Sequence, residues 1–143
     1  GSVVVVDEIG FHHATSVAEL LADRGCRVEV ITSGMVVGQD LGITLDMEGW
    51  LMRAHAKGIA LATDLVVTGL AEGALQLLHH PTGRPETRRP DWVVLAVPAR
   101  PADALYQELA RSGAFEVHRV GDCVAPRRAH AAVVDGDRIG GRL

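Results

Sequence analysis

The sequence predicts an α/β fold built on a parallel sheet, and three observations carry the prediction. Two short β-branched runs, residues 3–6 and residues 27–32, flank a stretch of helical periodicity. A third run of the same kind, residues 92–97 (WVVLAV), returns late in the chain, as expected of a strand buried on both faces. Between them, residues 64–70 and 74–80 are strand-like and separated only by Ala-Glu-Gly, which predicts an antiparallel hairpin inserted before the return strand.

Each element follows in order. Residues 3–6 (VVVV) form the first strand, and residues 7–14 a loop. Thr15 or Ser16 then caps a helix carrying Val17, Leu20 and Leu21 on one face and stopped by Gly25. Residues 27–32 (RVEVIT) are the second strand, so the pair reads as a right-handed parallel crossover. The Gly-rich residues 33–43 form a loop. Residues 45–57 are helical, with Leu45, Trp50 or Met52, and Ala56 inward and Gly58 as the stop. Residues 59–62 are a short third strand. After the hairpin, PTGRPETRRPD reads as a polar loop, too rich in proline to be an element. Pro101 opens a helix to about Arg111, with Asp103 at the positive end of its dipole. Residues 115–120 are the last strand, followed by Gly121-Asp122 and a helix over about 126–139. The sum is a three-layer Rossmann-like sheet with an antiparallel β-meander insertion.

Composition narrows the function classes. At 143 residues and 48% apolar the chain can bury a core, and a net charge of −4 gives no general reason to bind nucleic acid or an anionic membrane. Thirteen arginines accompany a single lysine, Lys57, but they are scattered apart from Arg88-Arg89 and Arg127-Arg128. Cys26 and Cys123 form no paired motif and read as free thiols of a reducing cytoplasm. No apolar run is long enough to span a bilayer, and no leader is expected before the first strand. The adjacent His12 and His13 have no third ligand nearby, so no metal site is expected, and no catalytic residue set accompanies the fold.

Three motifs resemble one group of enzymes. The stretch VVVVDEIGFHHATSVAELLADRGCRVEVITS has the strand, acidic-started loop, S-x-A-E-x-L-A-x-x-G helix and Thr-Ser strand end of the Old Yellow Enzyme-like FMN/iron-sulfur flavoprotein oxidoreductases. That group includes trimethylamine dehydrogenase, histamine dehydrogenase, 2,4-dienoyl-CoA reductase and N-methylproline demethylase-type enzymes. PDWVVLAVPARPADALYQEL and VHRVGDCVAPRRAHAAVVDGDRIG resemble the return strand and the closing segment of the same group. The resemblance covers nearly the whole chain and implies an FAD/NAD(P)-binding flavoprotein fold. On that reading residues 1–112 are the second, NAD(P)-type dinucleotide-binding fold. Residues 113–143 are the strand and helix that complete the FAD/ADP-binding fold of the full-length enzyme.

The resemblance also implies partners absent from this sequence: an N-terminal barrel carrying FMN and a 4Fe-4S cluster, and a first dinucleotide fold. There is no cysteine cluster here for iron-sulfur ligation. In the closing segment Gly121, Asp122, Arg127 and Arg128 match the place where FAD or ADP is met, the aspartate accepting a hydroxyl and the arginines offsetting phosphate. In the first segment Gly10 and Ser16 are the positions left to a nucleotide, because Asp7 and Glu8 stand where a glycine cradle would hold the diphosphate. The second strand ends without an acidic residue for a ribose, so NAD(P) binding by this loop is expected to be weak or altered. The expectation is a fragment of an amine dehydrogenase or demethylase-like flavoprotein, itself without catalytic residues. A non-catalytic scaffold or docking module is the alternative, and a free-standing NAD(P)- or S-adenosylmethionine-dependent enzyme is disfavoured. The apolar strand at 115–120, deprived of its usual partners, is expected to dock back on this domain, to exchange between copies or to be poorly ordered, and as a pairing template it offers two copies a way to associate.

Overall fold

The computed structural model describes residues 1–143, which divide into two compact units, Gly1–Val97 and Pro98–Leu143. The first unit runs β1 (Ser2–Asp7), α1 (His12–Asp23), β2 (Arg27–Thr32), a 3₁₀ segment (Gln39–Thr44), α2 (Met47–Ala56) and β3 (Ala60–Ala62). It continues with β4 (Leu65–Ala71), β5 (Ala74–His79), β6 (Arg84–Arg88) and β7 (Trp92–Ala96). A four-stranded parallel sheet has the order β3-β2-β1-β7, and a separate antiparallel sheet has the order β4-β5-β6.

The alternation of β1 and β2 builds three layers. Val3, Val5, Val28 and Val30 face the helices and pack with Ala14, Ala18, Trp50 and Ala54. Val4, Val6 and Ile31 face the opposite way and pack with Leu65, Leu75 and Leu77 of the meander. The β-branched run is therefore buried on both faces, one under helices and one under the second sheet. No helix is long and apolar enough to cross a membrane.

Several elements differ from expectation. α1 begins at His12 behind Phe11, so Thr15 is a buried helix residue and neither Thr15 nor Ser16 is the cap. In the turn before it the Asp7 side chain accepts the backbone N–H groups of Ile9 and Gly10. α2 begins only at Met47; Leu45 stands outside it with φ 62° and is 89% exposed, while Ala54, not Met52 or Ala56, lies inward beside Trp50. The proline-rich loop contains β6, tolerated because β6 is an outer strand of its sheet, where a missing N–H is least costly. β7 is paired on one side only, which leaves Trp92 72% and Leu95 63% exposed instead of fully buried.

The second unit holds α3 (Ala104–Ser112), a 3₁₀ turn (Gly121–Cys123) and α4 (Ala129–Gly140). Residues 115–120 pair with nothing and form no strand, since a strand exists only through a ladder partner. Polar contacts tie the segment before and within α3 to the chain beyond it: Arg119 Nη1 donates to Asp103 Oδ2 at 2.7 Å, and its guanidinium lies 4.6 Å from the Tyr106 ring centroid. Gly121 is the one buried residue of this unit. Its φ is +63°, and a Cβ there would stand 3.2 Å from that of Ala132, so the turn can lie against α4 only with glycine.

Candidate functional site

In parallel α/β sheets ligands bind outside the carboxyl ends of the strands, where β1 ends at Asp7 and β2 at Thr32. Asp7 is fully buried. Its Oδ1 accepts the backbone N–H of Gly10 at 2.8 Å and of Ile9 at 3.3 Å, and its Oδ2 accepts that of Gly38 at 2.9 Å. The first two bonds shape the turn into α1; the third brings in the loop after β2. Asp40 N–H donates to the Gly10 carbonyl at 2.7 Å, and Glu8 N–H to the Ala96 carbonyl at 3.0 Å. At the end of β2, Thr32 Oγ1 accepts the N–H of Gly34 at 3.1 Å. Gly38 has φ +69°, and a Cβ there would come within 3.0 Å of Leu41 and 3.1 Å of Thr15. Two loops are thus fastened to each other over the ends of β1 and β2.

Two cavities flank this junction. The smaller, about 220 Å³, lies between the ends of β1 and β2, with Asp7, Glu8 and Asp40 beside Gly10, Thr32 and Gly34. Its lining holds no Lys, Arg or His. The larger, about 620 Å³, opens between α1 and β7 at the point where the connections switch direction, and is mostly apolar. Phe11 and His12 meet there edge to face with centroids 4.4 Å apart, and His12 Nε2 lies 3.4 Å from Asp46 Oδ2. A third cavity of about 500 Å³, bordered by Cys26, Arg27, Lys57, Arg88 and Arg89, sits at the amino ends of the strands. Two of its cations are already paired, Lys57 with Asp23 and Arg88 with Glu29.

The candidate residues from sequence fall in separate places. Gly10 borders the small acidic cavity and Ser16 the large apolar one, so the two do not share a pocket. Gly121, Asp122, Arg127 and Arg128 gather in the second unit around the 3₁₀ turn. There Asp122 Oδ1 accepts the Arg127 N–H at 3.3 Å, and the Arg127 guanidinium is engaged by Asp135. The sequence places residues 35–38 in a loop over the carboxyl edge of the sheet but gives no sign of Asp40 there, nor that Asp7 is consumed by backbone donors, Gly38 among them. An aspartate directly after a buried strand was the available signal; the partner 31 residues away left none. No cluster of three His, Cys, Asp or Glu side chains suited to a metal is present.

No family profile matches the chain. Over 96% of its length it is 27% identical to N,N-dimethylglycine/sarcosine dehydrogenase of Chromohalobacter salexigens, of which it covers 24%. Among solved structures, histamine dehydrogenase from Rhizobium sp. 4-9 superposes on 99% of the chain with a TM-score of 0.89 and 25% identity, and the chain covers 23% of it. The 6-hydroxypseudooxynicotine amine oxidase of Pseudomonas geniculata N1 gives 0.88 and 27% over 98% of the chain, which covers 22% of it. These homologues are flavoprotein oxidoreductases, and the chain spans about a quarter of the length of each.

Proposed function

We propose that this chain is the dinucleotide-fold portion of a longer flavin-dependent oxidoreductase that acts on an amine, with its redox centres outside these residues. One observation carries the reading: nearly the whole chain, both units included, matches a quarter of proteins named for amine oxidation.

Within that protein the first unit keeps the nucleotide fold with an altered phosphate grip. The cavity at the end of β1 is smaller than the usual 300 Å³ or more of a small-molecule site, is bordered by three carboxylates and has no cation. A diphosphate there would meet like charge. An amine dehydrogenase passing electrons through flavin and cluster needs no NADPH at this position, so the altered site and the amine reading agree. In the second unit Asp122 presents an exposed carboxylate able to accept a ribose or ribityl hydroxyl of FAD or ADP, beside Gly121 and Arg128. Arg127, held by Asp135, contributes less charge than its position suggests. FMN and a 4Fe-4S cluster belong to the remainder of the protein.

The test is to express the complete reading frame that encodes this sequence and assay the purified protein for bound flavin, iron and dye-linked oxidation of N-methylated amines. Stoichiometric flavin with amine-dependent bleaching is the expected result. A protein that binds no flavin and oxidises no amine would overturn the reading in favour of a docking module.

A further inference from the structure

We propose that the Asp7 carboxylate is a resident anion that holds the β1–α1 turn closed to phosphate. The inference rests on the reading above that the first unit is a nucleotide fold with an altered grip. In an open cradle the backbone N–H groups that follow the first strand point at the diphosphate. Here those of Ile9 and Gly10 point at Asp7 Oδ1, at 3.3 and 2.8 Å. The second oxygen reaches Gly38 N–H, 31 residues away on the facing loop, at 2.9 Å. The side chain is fully buried with both oxygens engaged, so it does more than form a local surface turn.

Entry of a diphosphate would take these donors from a carboxylate that stays buried and loses its partners, the costly half of any hydrogen-bond exchange. It would also part the two loops. The second loop is held down by Asp40 N–H on the Gly10 carbonyl and by the close seat of Gly38 on Thr15 and Leu41. Asp7 therefore acts twice: it satisfies the donors and it pins the loop over them. Its removal is the change that selects for phosphate.

The test uses the 143-residue chain with both of its units, ADP as probe, and the amide resonances of Gly10 and Gly38 as local reporters. Wild-type protein is expected to show no saturable ADP binding. Asp7→Gly and Asp7→Ser, each checked for intact β1–β2 amide cross-peaks, are expected to bind ADP at least about tenfold more tightly than wild type. ADP then shifts Gly10 and Gly38, and inorganic phosphate competes. Asp7→Asn is the isosteric control: it keeps an acceptor for Gly10 and turns a donor toward Gly38, whose amide should exchange faster. Folded Gly and Ser variants that gain no ADP binding would overturn the proposal, as would a wild-type titration that moves Gly10 and Gly38. Should neither variant fold, unchanged Gly38 exchange in Asp7→Asn overturns it. None of these readouts depends on flavin in the longer protein, so this inference and the functional reading fail separately.

Discussion

Trp50 is 1% exposed on the inner face of α2, and its indole Nε1–H has no hydrogen-bond partner. A buried donor left alone offsets part of what the ring contributes by packing. Trp50→Ala should therefore cost about 3–5 kcal/mol by cavity formation, whereas Trp50→Phe, which removes the orphan donor, should cost only about 1 kcal/mol. Urea denaturation of the two variants checks the contrast. At Gly38 the argument runs through backbone and space together: Gly38→Ala places a methyl 3.0 Å from Leu41 at φ +69°, and should destabilise by about 1–3 kcal/mol in the same assay. The site was legible at this scale only in part. Asp7 and Glu8 announce that the turn is acidic, but which of them is buried depends on the strand's alternation and on a loop from elsewhere. Asp7 points inward to Gly38 and Glu8 outward, and the partner that holds Asp7 is 31 residues away.

The parallel strands were legible because their burial is written into continuous β-branched runs; β2 spans the residues expected of it, β1 is longer by one residue at each end and β7 shorter by one at its end. What escaped was set by partners. β6 looks like a loop by its prolines and becomes a strand because β5 offers an edge to it. Residues 115–120 look like a strand and pair with nothing. The β4–β5 hairpin is as expected, but Ala71 belongs to β4, so the turn is two residues and not three; it carries a strained choice, Glu72 and Gly73 both having positive φ, 52° and 70°, as a two-residue hairpin of this hand requires. Glu72→Asn should stabilise the chain by about 0.5–1 kcal/mol, measured as a rise in urea midpoint. β6 is also tied to β2 by charge, Arg88 Nε lying 2.9 Å from Glu29 Oε2, while Arg88 Nη1 lies 3.1 Å from Glu86 Oε2 within β6 itself. Burial alone would lower the Arg88 pKa, but Glu29 and then Glu86 more than offset it and raise it. Arg84 and then Arg88 hold the Glu86 carboxyl below its ordinary value. A carboxyl depressed in the folded state stabilises above its unfolded pKa and loses that contribution as pH falls through the folded one. Glu86→Gln should thus lower Tm slightly at neutral pH and flatten its decline between about pH 5 and pH 3, where the two proteins converge.

At the scale of the molecule the two units are unlike. The first has two hydrophobic clusters on either side of one sheet, while the second, 98–143, buries a single glycine and leaves Leu105, Phe115 and Val133 more than half exposed. Without a core of its own it has little to set against chain entropy. In the isolated chain the amides of α3 and α4 should exchange orders of magnitude faster than those of β1 and β2, and mass spectrometry of deuterium uptake reads this directly. In the longer protein proposed above the same helices should become protected. The outer margin of β7 has a different consequence. It presents Trp92 and Leu95 beside a row of backbone groups with no neighbour, and carries neither a lysine nor a proline to discourage company. Solutions of the chain should accordingly meet a solubility ceiling set by lateral growth of the sheet. A single lysine introduced by Leu95→Lys should raise that ceiling in light scattering while leaving the melting temperature where it was.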